Sequence, residues 1–365
     1  MKNIMVIPRA ILVLLLVFTA SFAKANIWEP VTAPGGVKKT RCIECDVSGN
    51  LYTCSSEAGF FVSKDFGKTW TSINGSGLAV NPGNKWHAST IQADPNTGYL
   101  IASQIDCTVP KKNVSYYYRS VDGGRNWNKI EGFKGGHPRT AIDGAGFLPN
   151  GDILFGVCWG EGPYYSSDHG VSCSLAGEGI GHGQAEFCFG YNPVTGDCWM
   201  GSEVDGNSVF ISTDNGRSWK HVPTKTGLRS QIADAMHIAF NDKGDVFYQM
   251  IQGVYRTNDR GATWQLVYDS GCSSKGLGAL RKDPNGYLYA GNGVDWLKTP
   301  VFARSTDGGS TWSAFTDGIP PQYRASWLAY NPVDGRMYCT VIDIKADTGC
   351  IFRTAEPVFT PKGKR

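Results

Sequence analysis

One eight-residue pattern recurs along this 365-residue chain at a nearly constant interval. It reads SKDFGKTW from Ser63, SVDGGRNW from Ser120, SSDHGVSC from Ser166, STDNGRSW from Ser212, TNDRGATW from Thr257 and STDGGSTW from Ser305. The spacings are 57, 46, 46, 45 and 48 residues. A repeat of that length holds a few short strands and cannot bury a sheet face alone, so it must stack on its neighbours. A second series counts the units: SGNLYTC, TGYLIAS, NGDILFG, TGDCWMG, KGDVFYQ, NGYLYAG and DGRMYCT each place a glycine turn before a strand, seven times in all. With 46 glycines and 12% aromatic residues, the expected fold is all-β: a seven-bladed β-propeller of four-stranded antiparallel blades.

The seventh box is missing, and its remains show how the ring closes. GCIFRTAEP (349–357) matches the strand before a box, yet no Asp-x-Gly-x-x-Trp pattern follows. Near the other end, IWEPV (27–31) matches the strand after a box. The N-terminal strand is therefore expected to complete the last blade, so that both ends share one sheet and two edges disappear. Seven outer strands then start at Trp28, Trp70, Trp127, Cys173, Trp219, Trp264 and Trp312.

Residues 1–25 read as a signal peptide ahead of a single propeller domain, 26–365. Lys2 and Arg9 precede the apolar run ILVLLLVF (11–18), and AKA (23–25) offers cleavage after Ala25 or Ala23. The run is too short for a membrane span, and no second one follows, so a secreted or periplasmic protein is expected. Losing Lys2, Arg9 and Lys24 brings the formal charge of +3 to near zero. A neutral chain lacks the basic footprint of a nucleic-acid binder. Eleven cysteines in an exported chain suggest disulfides, with Cys42–Cys54, Cys188–Cys198 and Cys339–Cys350 the cross-strand candidates. CIEC (42–45) has no partner pair at zinc-site spacing, so neither metal nor cofactor is expected.

The boxes resemble the Asp-box (BNR) repeats of the sialidase-like superfamily over essentially the whole chain after residue 25. That superfamily includes sialidases, xyloglucan-cleaving glycosidases, sortilin-type receptors and photosystem assembly factors, so the resemblance speaks to fold far more than to function. It implies that the boxes lie on the face opposite an active site. The residues agree: glycine supplies a positive φ, Asp and Ser or Thr accept turn N–H groups, and Trp packs between blades. Asp65, Asp122, Asp168, Asp214, Asp259 and Asp307 are read as scaffold.

Function is sought where the repeats disagree, on the face formed by the loops between blades and between the two middle strands of each blade. Trp86, Trp159 and Trp296 lie in or beside irregular loops there and suit the C–H faces of sugars. Charged residues also enter the inner strands, where apolar or small ones are the rule. Asp143, Glu186, Asp234, His137 and Tyr323 are the candidates for acid–base or nucleophilic chemistry. Arg41, Arg139, Arg229, Arg324 and His87 are the candidates for gripping a ligand.

Two carboxylates flanking a glycosidic bond would make a glycoside hydrolase. A His or Tyr beside an arginine-neutralised uronate would make a polysaccharide lyase. The sialidase pattern is met only in part: TRCIE places Arg41 on the first inner strand, but Cys-Ile stands where sialidases have Ile-Pro, and sialidases usually have six blades. The xyloglucanase resemblance is confined to the boxes, and those enzymes set their site between two propellers. The alternative is a non-catalytic propeller, a lectin, adaptor or assembly factor, that holds a glycan or a protein partner on the same face.

Overall fold

The computed structural model describes residues 26–78, 86–106, 114–133, 144–156, 162–177, 180, 185–203, 209–223, 237–250, 253–270, 278–292, 300–343 and 345–359. Among them are 28 strands and no helix, arranged as seven antiparallel sheets of four. Each sheet is one blade, with its strands in chain order from the axis outward, except the last. The inner strands, blade one to blade seven, are Ile43–Cys45, Trp86–Ala93, Ala145–Phe147, Ala185–Tyr191, His237–Phe240, Ala279–Lys282 and Tyr323–Tyr330. The last of these packs against the first, which closes the ring.

Blade seven is built from both ends of the described chain. Its order outward is Tyr323–Tyr330, Met337–Asp343, Thr348–Thr354 and then Trp28–Val31. Trp28 pairs with Thr354 and Val31 with Ile351, as the half-motif IWEPV predicts. Arg353 Nε donates to Glu29 Oε1 at 2.7 Å, a cross-strand ion pair on this seam. The Trp28 ring is fully buried, stacks 5.2 Å from Phe302 of blade six and donates its N–H to the Phe315 carbonyl at 2.7 Å.

The hydrophobic core has one layer per blade interface. Among the described residues, seven clusters of buried side chains each draw from two adjacent blades. Phe60 with Trp127 joins blades one and two, and Trp199 with Tyr248 joins blades four and five. A four-stranded sheet has two apolar faces, and radial stacking is the arrangement that buries both. The inner strands are thereby left facing a narrow axis.

Each box closes the turn before an outer strand with the same network. Asp214 Oδ1 accepts the Ser212 hydroxyl at 2.7 Å and the Ser218 N–H at 2.9 Å, and its Oδ2 accepts the Ser218 hydroxyl at 2.6 Å. Ser212 Oγ in turn accepts the Gly216 N–H at 2.8 Å. Two successive residues take positive φ, Asn215 at 61° and Gly216 at 83°, where the sequence reading allowed for one. The second position needs glycine for a further reason: a Cβ on Gly216 would stand 2.5 Å from Leu154 Cδ2 of the neighbouring blade. Trp127, Trp219 and Trp264 are buried between blades, whereas Trp70 and Trp312 are only half-buried.

These hydrogen bonds favour the ionised carboxylate. Donation from Thr69, Thr263 and Thr311 hydroxyls holds Asp65, Asp259 and Asp307 at about 2, and the Asn126 N–H does the same for Asp122. A depressed folded-state value contributes stability above the ordinary value of 3.8, and that stability is lost as pH falls toward about 2. The scaffold is therefore expected to fail in that acid window. At neutral pH, Asp214→Ala is expected to cost about 1–2 kcal/mol for the lost charge-assisted hydrogen bonds. Urea unfolding measures it; no loss would show that the box turn holds without its carboxylate.

Of the three expected cysteine pairs, one is brought into contact, and as thiols rather than as a disulfide. Cys42 and Cys54 stand opposite each other with their Sγ atoms 3.1 Å apart as thiols, both buried. Cys188 lies opposite Gly201, and Cys198 opposite Tyr191, so the second pair is out of register. Cys339 lies opposite Phe352, and Cys350 opposite Val341, which separates the third. In blade four the register runs unbroken from Tyr191 to Cys188, so the mismatch is set by the turn and not by the bulge beyond it.

Candidate functional site: the axial channel

The seven inner strands surround a channel divided into two chambers. Toward the irregular loops, a cavity of about 90 Å³ is lined by Arg41, Ser89, Gly144, Cys188, His237 and Ser326, among others. Toward the regular turns, a wider cavity of about 380 Å³ is lined by Glu44, Phe147, Phe189 and Tyr330, among others. Gln92, Ala145, Phe189 and Arg281 line both and form the waist between them.

Bulges set which residues reach the axis. Pairing with the second strand skips one residue in blades two, four and seven, at Ser89, Phe187 and Ser326. An extra residue bends the strand and re-aims its neighbours. Among the described residues, Ser89, Cys188, His237 and Ser326 of the inner strands line the upper chamber, with Gly144 just ahead of one such strand.

Only part of the expected site falls within the described residues. Asp143, Asp234, His137, Arg139, Arg229, Trp159 and Trp296 lie outside them. Trp86, His87 and Glu186 lie on inner strands, opposite Asp106, Ile105 and Ser202. Arg41 lines the upper chamber, with Nη1 donating to Ser56 Oγ at 3.2 Å.

Blade seven contributes Ser326 and Trp327 to that chamber rather than the two residues expected from it. Arg324 is buried in the strand, 3% exposed. The Tyr323 hydroxyl sits 3.4 Å from Cys350 Sγ, and its ring meets Phe352 edge-on. That contact with the thiol, together with burial, pushes the phenol up to about 12, which disfavours a phenolate nucleophile.

A polar group at the waist was not singled out from the sequence. Arg281 of blade six reaches across blade seven to Glu44 of blade one, Nη2 to Oε2 at 3.4 Å, while its Nε donates to the Leu328 carbonyl at 3.0 Å. Trp327 Nε1 donates to the same Glu44 oxygen at 3.4 Å. His237 meets the Trp327 ring edge-on at 5.9 Å. The signal lay in CIECD and ALRKD, where charged residues enter inner strands that are otherwise apolar or small.

Burial raises the Glu44 carboxyl, opposed by Arg281 and Trp327. Burial and then the Arg281 charge push His237 down to about 3. An imidazole so depressed is neutral at physiological pH and too weak a base for efficient proton abstraction. The waist is thus a structural tie between blades six, seven and one. Among the described residues, no group of three His, Cys, Asp or Glu side chains is placed to hold a metal ion, and no helix is long and apolar enough to cross a membrane.

Comparison with known proteins agrees with this architecture. The BNR/Asp-box repeat family matches residues 210–221, the fourth box. A probable oligoxyloglucan-reducing end-specific xyloglucanase of Neosartorya fischeri is 27% identical over 258 residues, covering 63% of this chain and 30% of the relative. A xyloglucanase of Hypocrea jecorina is 26% identical over 294 residues, covering 67% and 34%. This chain therefore spans about a third of the length of the curated relatives it matches. The crystal structure of the GH74 xyloglucanase from Xanthomonas campestris superposes with a TM-score of 0.64 at 15% identity, over 92% of this chain and 55% of that one. From repeat, blade count and superposition together, the chain is a BNR/Asp-box repeat β-propeller of seven blades.

Proposed function

We propose that this propeller is a glycan-acting glycoside hydrolase, exported by a leader over residues 1–25, with its substrate on the loop face of domain 26–365. The observation that carries the reading is the 26–27% identity to xyloglucanases over about two-thirds of the chain. A neutral β-glucan of the xyloglucan class is the substrate this favours. Asp143 and Asp234 are the pair we assign to acid and base, since two carboxylates flanking the scissile bond divide protonation of the leaving oxygen from activation of water or direct attack. Trp86, Trp159 and Trp296 are assigned to the sugar faces. The depressed His237 supports this division, because it leaves the channel floor without an effective base.

The test is product release from xyloglucan, other neutral β-glucans and uronate-containing polysaccharides. New reducing ends from a neutral glucan are expected, reduced at least ~100-fold in Asp143→Asn or Asp234→Asn at unchanged thermal stability. Unsaturated uronates would replace the reading with a lyase. Binding without products, abolished by Trp86→Ala or Trp296→Ala, would replace it with a lectin. Silence toward every glycan would leave a protein partner as the ligand.

A further inference from the structure

The lower chamber has a composition that neither the scaffold nor the loop face explains. Three aromatic rings border it, and none is fully buried: Phe147 and Phe189 are half-buried and Tyr330 is 38% exposed. Large apolar rings left open around one cavity mark a binding surface more often than a packing defect. Pro95 and Pro332 complete the rim with rigid apolar walls. At about 380 Å³ the cavity falls in the lower range of small-molecule sites.

Its polar endowment narrows the ligand. Glu44 lines the chamber, and its Oε2 is engaged by both Arg281 and Trp327. A carboxylate offers about four acceptor positions, and Arg281, Trp327 and the Cys45 N–H take three of them, so one remains for a ligand donor. The Arg281 charge already offsets that of Glu44, so the cavity does not select a cation. Asp46 at the rim is committed to its own turn, accepting from Ser48 N, Asn50 N, Asn50 Nδ2 and Tyr52 Oη. A neutral ligand with an apolar face, hydroxyl donors and the size of one ring meets all these conditions.

We infer that the turn-side chamber is a binding site for a single pyranose ring, stacked on Tyr330 and the two phenylalanines, with a hydroxyl donating to the Glu44 carboxylate. The site lies across the waist from the loop face, and its ligand class follows from its own lining rather than from the proposed hydrolysis. It gives the propeller a second contact with sugars, on the side where the regular turns lie.

Saturation-transfer NMR of the full chain with free D-glucose and D-xylose tests it. Neither sugar has a glycosidic bond to cleave, so failure here leaves the hydrolase reading standing, and the reverse also holds. Binding with a dissociation constant on the order of 1 mM is expected, the scale for a ligand of about a dozen heavy atoms. Tyr330→Ala, at a partly exposed position the fold tolerates, is expected to weaken it at least ~10-fold, whereas Tyr330→Phe keeps the ring and the affinity. Glu44→Gln preserves shape and is expected to weaken it by a smaller factor. No transfer for either sugar at tenfold that concentration would overturn the proposal. So would equal binding by Tyr330→Ala, which would place the sugar elsewhere.

Discussion

Trp28→Ala is expected to lower the unfolding free energy by about 3–5 kcal/mol, the largest single effect of the substitutions considered. Trp28 is fully buried at the joint of blades six and seven and touches Phe302 and Phe315. Its truncation leaves a cavity lined by those rings and removes the N–H donated to the Phe315 carbonyl. It also loosens the outer strand that completes blade seven, which pairs along Thr348–Thr354 and does not continue from it. In an open array a frayed terminal strand costs only its own contacts. Here it uncovers an edge and one face of the neighbouring blade at once. Trp70→Ala provides the comparison, because that ring occupies the equivalent place in blade one but is only half-buried. Urea unfolding should show a much smaller loss for Trp70→Ala. Equal losses would mean that the closing strand carries no special share of stability.

The second large effect belongs to Arg281→Met, expected to cost about 2–4 kcal/mol near pH 8 and much less near pH 4. The guanidinium ties blades six, seven and one through Leu328 and Glu44. Methionine fills similar volume but leaves Glu44 without its cation. Burial already raises the folded-state value of Glu44, and Arg281 opposes that rise. Removing Arg281 therefore raises it further. A carboxyl raised on folding contributes its stability below the unfolded value and loses it as pH climbs through the folded value. The deficit of the variant must then grow with pH, opposite in sign to the acid failure of the boxes. Adding Glu44→Gln should recover most of the loss near pH 8 and flatten the profile. A deficit independent of pH would show that Arg281 acts by packing its stem rather than by its charge.

The periodicity that exposes the architecture also limits what it can say about the site. A repeated Ser–Asp–Gly–Trp turn is a local device, and its hydrogen bonds run within five residues, so its geometry can be read from its letters. The shared last blade was equally legible, because IWEPV and GCIFRT are the two halves of a familiar unit. Both readings use short-range patterns that repetition states several times over.

The axis is different. Which side chain points into it depends on bulges at Ser89, Phe187 and Ser326, and a one-residue shift turns the pattern over. On the last inner strand Arg324 is buried, while Tyr323 at its start is half-buried with its hydroxyl beside Cys350. Glu44 and Arg281 are 237 residues apart, and nothing local links them until the ring has closed.

By itself, then, the sequence determined the number of blades, the chemistry of their turns and the way the ends meet, because each is encoded within a repeat and restated by the next. The tertiary structure alone decided which cysteines face each other, which inner-strand charges meet across the axis, and where the two chambers lie. Those depend on the twist and bulging of seven separate strands around a common centre, a property of the closed ring that no single repeat contains.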